Sequence, residues 1–363
     1  MKKVAIIGIQ GVPAKYGGFE TLIENMLGEN IPIDIHYTVF CSSKDYKEKI
    51  KSYKGAALKY IPFFHANGIQ STLYDIYSLT KVIKGYDTIL ILGISGCIFL
   101  PFFRIMCSKR LIINIDGLEH QRAKWGKLAK KFLKFSEAMA IKYANVIIAD
   151  NKGIQNYIKE EYGKESKLIA YGGDHVQQIM SNEQQDEILN NYKLKAKKYA
   201  ITICRIEPEN NCHLILKALS MSHIPMVFIG NWERSEYGKN LKEKYGSFDN
   251  IDILDPIYDL QMLYALRNNC KYYIHGHSAG GTNPSLVEAM FFGIPILAYD
   301  VVYNRETTQQ QAYYFKNEKE LLKLLELSDI TLKRNATEML EIANKNYKWK
   351  IIADQYNKCY QEL

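Results

Sequence analysis

Cysteine is scarce in this chain, with seven in 363 residues, an odd number containing no C-x-x-C pair. Cys41, Cys97, Cys204 and Cys270 stand inside apolar segments, so a disulfide framework or zinc site is set aside for reduced, buried thiols in a cytosolic protein. An uninterrupted apolar run of the roughly 20 residues needed to span a membrane is also missing. The greasiest stretch, Ile89 to Met106, is broken by Gly93, Gly96, Pro101 and Arg104 and reads as strand, turn and buried helix. The opening apolar run, Val4 to Gly8, is too short for a signal peptide and resembles a first strand entering a glycine turn, so no export is implied. There is no D-x-D pair and no His/Cys cluster with metal spacing, which points away from a metal-dependent mechanism. Carboxylates are outnumbered, 39 against 47 lysines and arginines, and the net charge of +8 permits attraction to phosphates, nucleic acid or an anionic membrane face.

What is present is globular: 47% hydrophobic and 24% charged residues, in a chain long enough for about two domains. Short apolar runs at Lys3 to Gly8, Ile35 to Cys41, Thr88 to Leu92, Leu111 to Ile115 and Val146 to Ala149 alternate with helical patterns. The helices are expected at Phe19 to Asn30, Thr72 to Lys84, Lys127 to Tyr143 and Gly153 to Tyr162. A polar stretch, Gln177 to Gln185, reads as a linker. Beyond it strands are expected at Tyr199 to Cys204, Met226 to Gly230, Asn250 to Leu254, Lys271 to His275 and Ile294 to Ala298. The alternation predicts an α/β protein of two doubly wound, Rossmann-like domains, facing across a cleft at the carboxyl ends of their strands. We place the domains at 1–180 and 181–345. A last amphipathic helix over 346–363, with Trp349, Ile352, Ala353, Tyr356 and Tyr360 on one face, is expected to pack back on the first domain.

The second half is organised around Gly280 to Met290. Asn283 is placed to cap a helix that starts at Pro284, leaving N–H groups beside Gly280 and Gly281 for a phosphate; Glu288, about a turn deeper, could accept sugar hydroxyls. An ordinary capped helix with a solvated glutamate explains the same residues. Arg205, just past a strand, could clamp a diphosphate through paired hydrogen bonds or be a surface residue of a βα loop. Gly17 and Gly18 open the first helix and either offer a second anion-facing N-terminus or make a tight turn. Asp116, Glu119 and His120 follow a strand and could supply a base or orient a hydroxyl, or serve as turn residues and caps. Lys124, Lys127, Lys130, Lys131 and Lys134 run among Trp125, Leu128, Phe132, Leu133 and Phe135. They fit a helix resting on anionic lipid, or a solvated lysine face over a buried apolar one.

Together Gly11 to Glu20, Asp116 to Glu119, Tyr171-Gly172-Gly173-Asp174-His175, Arg205 to Asn211 and Gly280 to Met290 resemble family 4 glycosyltransferases of the GT-B fold. The closer likeness is to the bacterial rhamnosyltransferases of capsule and O-antigen synthesis. The resemblance implies a retaining, metal-independent transfer with no cofactor beyond the nucleotide-sugar substrate. Rhamnose from dTDP-rhamnose would pass to a lipid-linked saccharide, in the cytoplasm or peripherally at the inner face of the cell membrane, with no nucleic acid involved. It further implies that Arg205 and Asn210 serve the donor diphosphate, Glu288 the ribose, and Gly281, Thr282 and Asn283 the phosphate or donor sugar. Gly17 and Gly18 would close over the diphosphate, while Asp116, Glu119 and His120 would lie near the acceptor and the transferred sugar. The chain departs from the broad family at Gly280, where a glutamate is usual, and at Asn210 and Asn211, where a lysine is frequent. A nucleotide-sugar epimerase of the same fold and a non-enzymatic nucleotide sensor are the alternatives.

Overall fold

Parallel strands covered on both faces must be apolar along their whole length, and the runs Ala5 to Ile7 and Ile89 to Leu92 are buried throughout. A computed structural model describes residues 1–15, 17–64, 68–122 and 125–361; Tyr16, in the first glycine loop, and Lys124, in the lysine run, lie outside the described residues. The chain divides into two compact units, Met1–Tyr171 with Trp349–Leu363, and Gly172–Lys348. The first therefore ends ahead of the expected boundary at 180.

In the first unit the elements run β1 (Lys2–Ile7), α1 (Gly18–Met26), β2 (Ile35–Ser42), β3 (Ser52–Tyr53), β4 (Ala56–Ile61), α2 (Ile69–Lys81), β5 (Thr88–Leu92) and α3 (Leu100–Met106). They continue with β6 (Arg110–Asn114), α4 (Lys127–Tyr143), β7 (Val146–Ala149), α5 (Lys152–Tyr162) and β8 (Lys167–Leu168). The sheet order is β3-β4-β2-β1-β5-β6-β7-β8, parallel except for β3. The order reverses between β1 and β5, so the loops leaving those strands share one switch point. Gly8, with φ +92°, lies so close to β5 that a Cβ would stand 2.2 Å from the Leu92 carbonyl oxygen.

The second unit holds α6 (Asn182–Asn191), β9 (Ala200–Ile203), α7 (Cys212–Ser220), β10 (Met226–Ile229), α8 (Glu236–Tyr245), β11 (Ile251–Leu254), α9 (Leu260–Asn268) and β12 (Tyr272–His275). After these come α10 (Pro284–Met290), β13 (Ile296–Tyr299), α11 (Val302–Thr307), β14 (Tyr313–Phe315), α12 (Glu318–Leu325) and α13 (Asp329–Asn346). Its sheet is parallel throughout in the order β11-β10-β9-β12-β13-β14. Here the switch point falls between β9 and β12, which are hydrogen-bonded neighbours.

The chain then returns to the first unit as α14 (Trp349–Gln361). Trp349, Ile352, Ala353, Tyr356, Cys359 and Tyr360 join the core of that unit with Val4, Ile6, Leu22 and Tyr37. Polar ends of this face are satisfied too: Tyr37 Oη donates to Asn357 Oδ1 at 2.9 Å, and Asn114 Nδ2 to Tyr356 Oη at 2.8 Å.

One expectation fails, and one of the two readings of the lysine-rich helix is set aside. The polar stretch read as a linker contains the start of α6, because Ser181 and Gln184 form a reciprocal capping box. The lysine-rich helix α4 does not bury its apolar stripe: its buried residues are Ser136, Glu137, Ala140 and Ile141, while Leu128 is 85% exposed and Phe135 52%. Likewise α3 leaves Phe102, Ile105 and Met106 exposed.

Candidate active site

The second unit brings most of the singled-out residues to its switch point. Arg205 follows β9, and Gly281, Thr282 and Asn283 follow β12. The two loops are stitched together by buried side chains. Asn210 donates through Nδ2 to the Arg205 carbonyl at 2.7 Å, and its Oδ1 is 2.7 Å from His277 Nδ1. That carbonyl contact fixes the orientation of the amide, so Oδ1 must accept and His277 must carry its proton on Nδ1. Asn211 Nδ2 donates to the Gly276 carbonyl, and Ser278 donates its N–H and Oγ–H to the Glu209 carbonyl, each at 2.8 Å. Backbone approaches backbone here: a Cβ on Gly276 would lie 2.1 Å from the Asn210 carbonyl oxygen. Asn210, 3% exposed, is thereby corrected from a diphosphate contact to the residue that sets the height of the Arg205 loop. The Arg205 guanidinium, half-buried, makes no hydrogen bond or ion pair among the described residues. A cation held at a switch point with its donors free can take an anion in bidentate fashion.

The helix start is built as expected and used differently. Asn283 caps α10 and Pro284 is its first residue. Asn283 Oδ1 accepts the Ser285 N–H at 3.0 Å, and the Asn283 carbonyl accepts the Leu286 N–H at 3.1 Å. The expected free N–H groups of α10 are therefore consumed, and the remaining donors belong to the loop: the N–H groups of Gly281 and Asn283 pair with no described residue. Thr282 is buried at 5% exposure between them.

Glu288 projects from α10 and is not a solvated glutamate. Arg267 donates to its Oε2 at 2.6 Å, and His175 Nε2 stands 3.6 Å from its Oε1. Arg267, on α9, is 4% exposed, so Glu288 neutralises a buried cation and keeps a second oxygen on the His175 side. Burial holds the His175 imidazole below its ordinary pKa, with Glu288 pulling the other way. The loop carrying His175 lies on α10 closely enough that a Cβ on Gly173 would meet Val287 and Phe291 at 2.9 and 3.0 Å. Below the site, at the end of β12, His275 is 2% exposed with Nε2 unpartnered; burial drives its pKa to about 3 and keeps the ring neutral. Sequence reasoning missed Arg267, His275 and His277, and gave His175 no role; the place of His275 and His277 at the end of a strand was a signal for those two, and Arg267 had none.

In the first unit Gly17 and Gly18 do open α1, and Gly17 has φ +123°. The expected anion seat is already occupied by a carboxylate. Glu20 Oε1 accepts the Gln10 N–H at 2.8 Å, and a Cβ on Gly17 would fall 2.0 Å from Glu20 Oε2. Burial raises the Glu20 pKa, the Gln10 bond partly offsets this, and the Asp116 charge adds to the rise. Glu20 is thus a clasp for the glycine loop, close enough to Asp116 to feel its charge. Asp116 takes a left-handed conformation at φ 61°, and its N–H donates to Asn114 Oδ1 at 3.0 Å.

Glu119 and His120 fare differently from Asp116. Glu119 accepts from Trp125 Nε1 at 3.0 Å and pairs with Arg122 at 2.7 Å, so both its oxygens are spent on the turn it occupies. This corrects its assignment as a reacting group. His120 Nδ1 is 3.1 Å from Oε2 of Glu137, which is 1% exposed in α4 and also accepts from Tyr157 and Tyr162 at 2.7 Å. Burial pushes the Glu137 carboxyl up, but the hydrogen bonds from His120, Tyr162 and Tyr157 outweigh it and hold the pKa below the ordinary value. A carboxylate behind an imidazole fixes its tautomer, with the proton on Nδ1 and Nε2 left as an acceptor, so His120 has the equipment of an acid or base.

Comparison with known proteins fits this frame. Residues 183–326 match the family Glycosyl transferases group 1, and residues 1–174 match a Domain of unknown function (DUF1972). No curated protein matches the chain by sequence. Among solved structures, sucrose-phosphate synthase from Thermosynechococcus elongatus superposes with a TM-score of 0.81 at 15% identity, covering 99% of this chain and 98% of that one. Anabaena HepE, solved with UDP and glucose, gives 0.77 at 14% identity over 100% of both chains. A glycosyltransferase from Rickettsia africae gives 0.75 at 12% identity over 99% and 97%. At these identities the likeness establishes the fold, which is that of the GT-B glycosyltransferases.

Proposed function

We propose that this chain, a glycosyltransferase by the group 1 domain in its second unit, moves rhamnose from dTDP-rhamnose to a lipid-linked saccharide with retention of configuration and without a metal. The observation that carries the donor reading is the Arg205 guanidinium, which makes no hydrogen bond or ion pair among the described residues and stands on a loop that the Asn210–His277 pair ties to the loop after β12. Nucleotide-sugar use is further supported by HepE, whose structure was solved with UDP-glucose. The choice of rhamnose rests on the resemblance, above all on Gly280 replacing a glutamate. The acceptor and a peripheral place at the inner face of the membrane rest on the same resemblance and on the lysines of α4.

In this reading the bond from the sugar's anomeric carbon to the diphosphate breaks while the acceptor oxygen enters on the same face. The acceptor proton passes to the departing phosphate oxygen, and the nucleoside diphosphate leaves. Arg205 and the two loop N–H groups stabilise the charge growing on that oxygen, the contribution that usually dominates such catalysis. Glu288 accepts the ribose hydroxyls through the oxygen that Arg267 leaves open. Asp116 and the His120–Glu137 pair orient the acceptor hydroxyl.

A thermal-shift screen against dTDP-, UDP- and GDP-sugars tests the donor, since ligand binding raises the melting point by linkage. The dTDP-sugars are expected to give the largest shift. Arg205→Ala is expected to lower turnover about 100-fold or more, the cost of losing a transition-state donor. Near wild-type transfer by that variant from every donor tested rejects the role.

A further inference from the structure

We propose that Arg267 sets nucleotide specificity: by holding one oxygen of Glu288 it makes the donor site select a 2′-deoxyribonucleoside diphosphate over its ribonucleoside counterpart. The inference deepens the donor reading and rests on it for one point, that Glu288 meets the pentose of the nucleotide. The neighbouring 2′- and 3′-hydroxyls of a ribose each bring an O–H that needs an acceptor once water is gone, and a free carboxylate can offer one oxygen to each. Glu288 is not free. Arg267 Nη2 donates to its Oε2 at 2.6 Å, a short charge-assisted bond. The Glu288 side chain is 16% exposed and that of Arg267 5%, so the oxygen bonded to the guanidinium is the one turned into the protein. Oε1 is left on the His175 side, with His175 Nε2 3.6 Å away.

Arg267 does not release that bond readily. Glu288 is its one ion-pair partner among the described residues, and its Nε is sealed from solvent without a hydrogen bond. Its guanidinium carbon stands 5.9 Å from the centroid of the Phe292 ring, a second contact that holds it in place. A hydroxyl reaches Oε2 only by displacing the guanidinium, and a buried cation stripped of its carboxylate costs more than a hydroxyl left without an acceptor.

The pair lies by the strand ends that carry Arg205. Tyr273 of β12, fully buried, is close enough to Arg267 and Glu288 to feel both charges. Its hydroxyl donates to the carbonyl of Ile203, just ahead of Arg205 on β9, at 3.4 Å. A pentose that reaches Glu288 from a diphosphate on Arg205 therefore finds one open oxygen. The deoxyribose of a nucleoside diphosphate has a single ring hydroxyl to place there, whereas a ribose leaves its second O–H unpaired. The ion pair between α9 and α10 thus favours the class of nucleotide that the resemblance to rhamnosyltransferases suggested, on separate grounds.

The test is calorimetric titration of the whole chain with dUDP, UDP and 2′-fluoro-2′-deoxy-UDP, which differ only at the 2′ carbon. Wild type is expected to bind dUDP about tenfold or more tighter than UDP, the cost of one unmet hydroxyl donor. The fluoro analogue fills the place of the 2′-hydroxyl without bringing a proton and is expected to bind like dUDP. If it binds like UDP, space and not the missing acceptor is the cause, and the proposal is overturned. Arg267→Met frees Oε2 and is expected to close the gap between UDP and dUDP; a preference that survives in the folded variant overturns the proposal. The wild-type comparisons decide by themselves where the variant loses its melting transition. Equal binding of UDP and dUDP by wild type removes the role of Arg267 and leaves the donor reading standing, whereas binding of none of the three nucleotides sinks the donor reading and this inference with it.

Discussion

Glu288 was legible as a carboxylate about one turn into a capped helix, and its seat on Arg267 was not, because the two are brought together by α9 and α10 packing side by side. The pairing changes what a substitution does. Glu288→Ala uncovers a cation that is 4% exposed, and losing one partner of a buried pair costs about 3 kcal/mol or more. Urea unfolding is expected to show that loss, while Glu288→Gln, which keeps an acceptor for Arg267, is expected to unfold nearer wild type and still bind nucleotide more weakly by calorimetry. His275 makes a pH prediction. Its folded pKa is depressed to about 3 by burial, so the unfolded chain binds its proton first as pH falls below about 6.5. The stability it permits is complete above that pH and is lost on acidification toward 3, by about 1.4 kcal/mol per pH unit. His275→Gln is expected to flatten the urea-derived stability of the second unit between those limits. Asp75 in the first unit carries the opposite sign. Burial lifts its pKa to about 8, so it is protonated in the fold, and the stability present below 3.8 drains away as pH rises toward 8.

At the scale of elements, strand and helix positions followed from local pattern wherever an element was long and one-sided. Lys127 to Tyr143 was delimited to the residue, because helical spacing and a break at Ala144-Asn145 agree. The two-residue strands β3 and β8 carry too few residues to show a period, and α6 was hidden under polar composition that is its capping box. Which face of α4 turns inward was unreadable, since periodicity finds a stripe and does not say what lies opposite it. The glycine loops were recognised correctly, but Asn283 caps the helix start beside one and the Glu20 carboxylate takes the Gln10 N–H in the other, local bonds that compete with any ligand for the same donors. Gly276 is the position at which the two loops of the second unit touch. Gly276→Ala would drive a Cβ into the Asn210 carbonyl and is expected to cost about 1–3 kcal/mol as overpacking. Nucleotide affinity is expected to fall with it, read by calorimetry, because the Asn210 carbonyl that the new Cβ displaces belongs to the Arg205 loop.

For the whole molecule, the return of the chain into its first unit is the consequential feature. Removing residues 349–363 takes Trp349, Ile352, Tyr356 and Tyr360 from that core, and each large aromatic lost from a core costs about 3–5 kcal/mol. For the three aromatics the sum, about 9–15 kcal/mol, is as large as the 5–15 kcal/mol or so by which a domain is stable. A chain ending at Lys348 is expected to lose its first unit to protease while a fragment close to Gly172–Lys348 persists on a gel. Survival of the first unit would show that α14 only decorates it.

By itself the order of residues determined the alternation of strand and helix, the two glycine-rich turns, the cap and proline of α10, and the arginine after β9, because each depends on neighbours within a few positions. The tertiary structure alone decided that Arg205 meets no partner among the described residues while Glu288 does, that Asn210 holds a loop instead of a ligand, and that α4 shows its apolar side. Those outcomes depend on which strands become neighbours at a switch point and on how much room a packed core leaves, and both are set by segments remote in the chain.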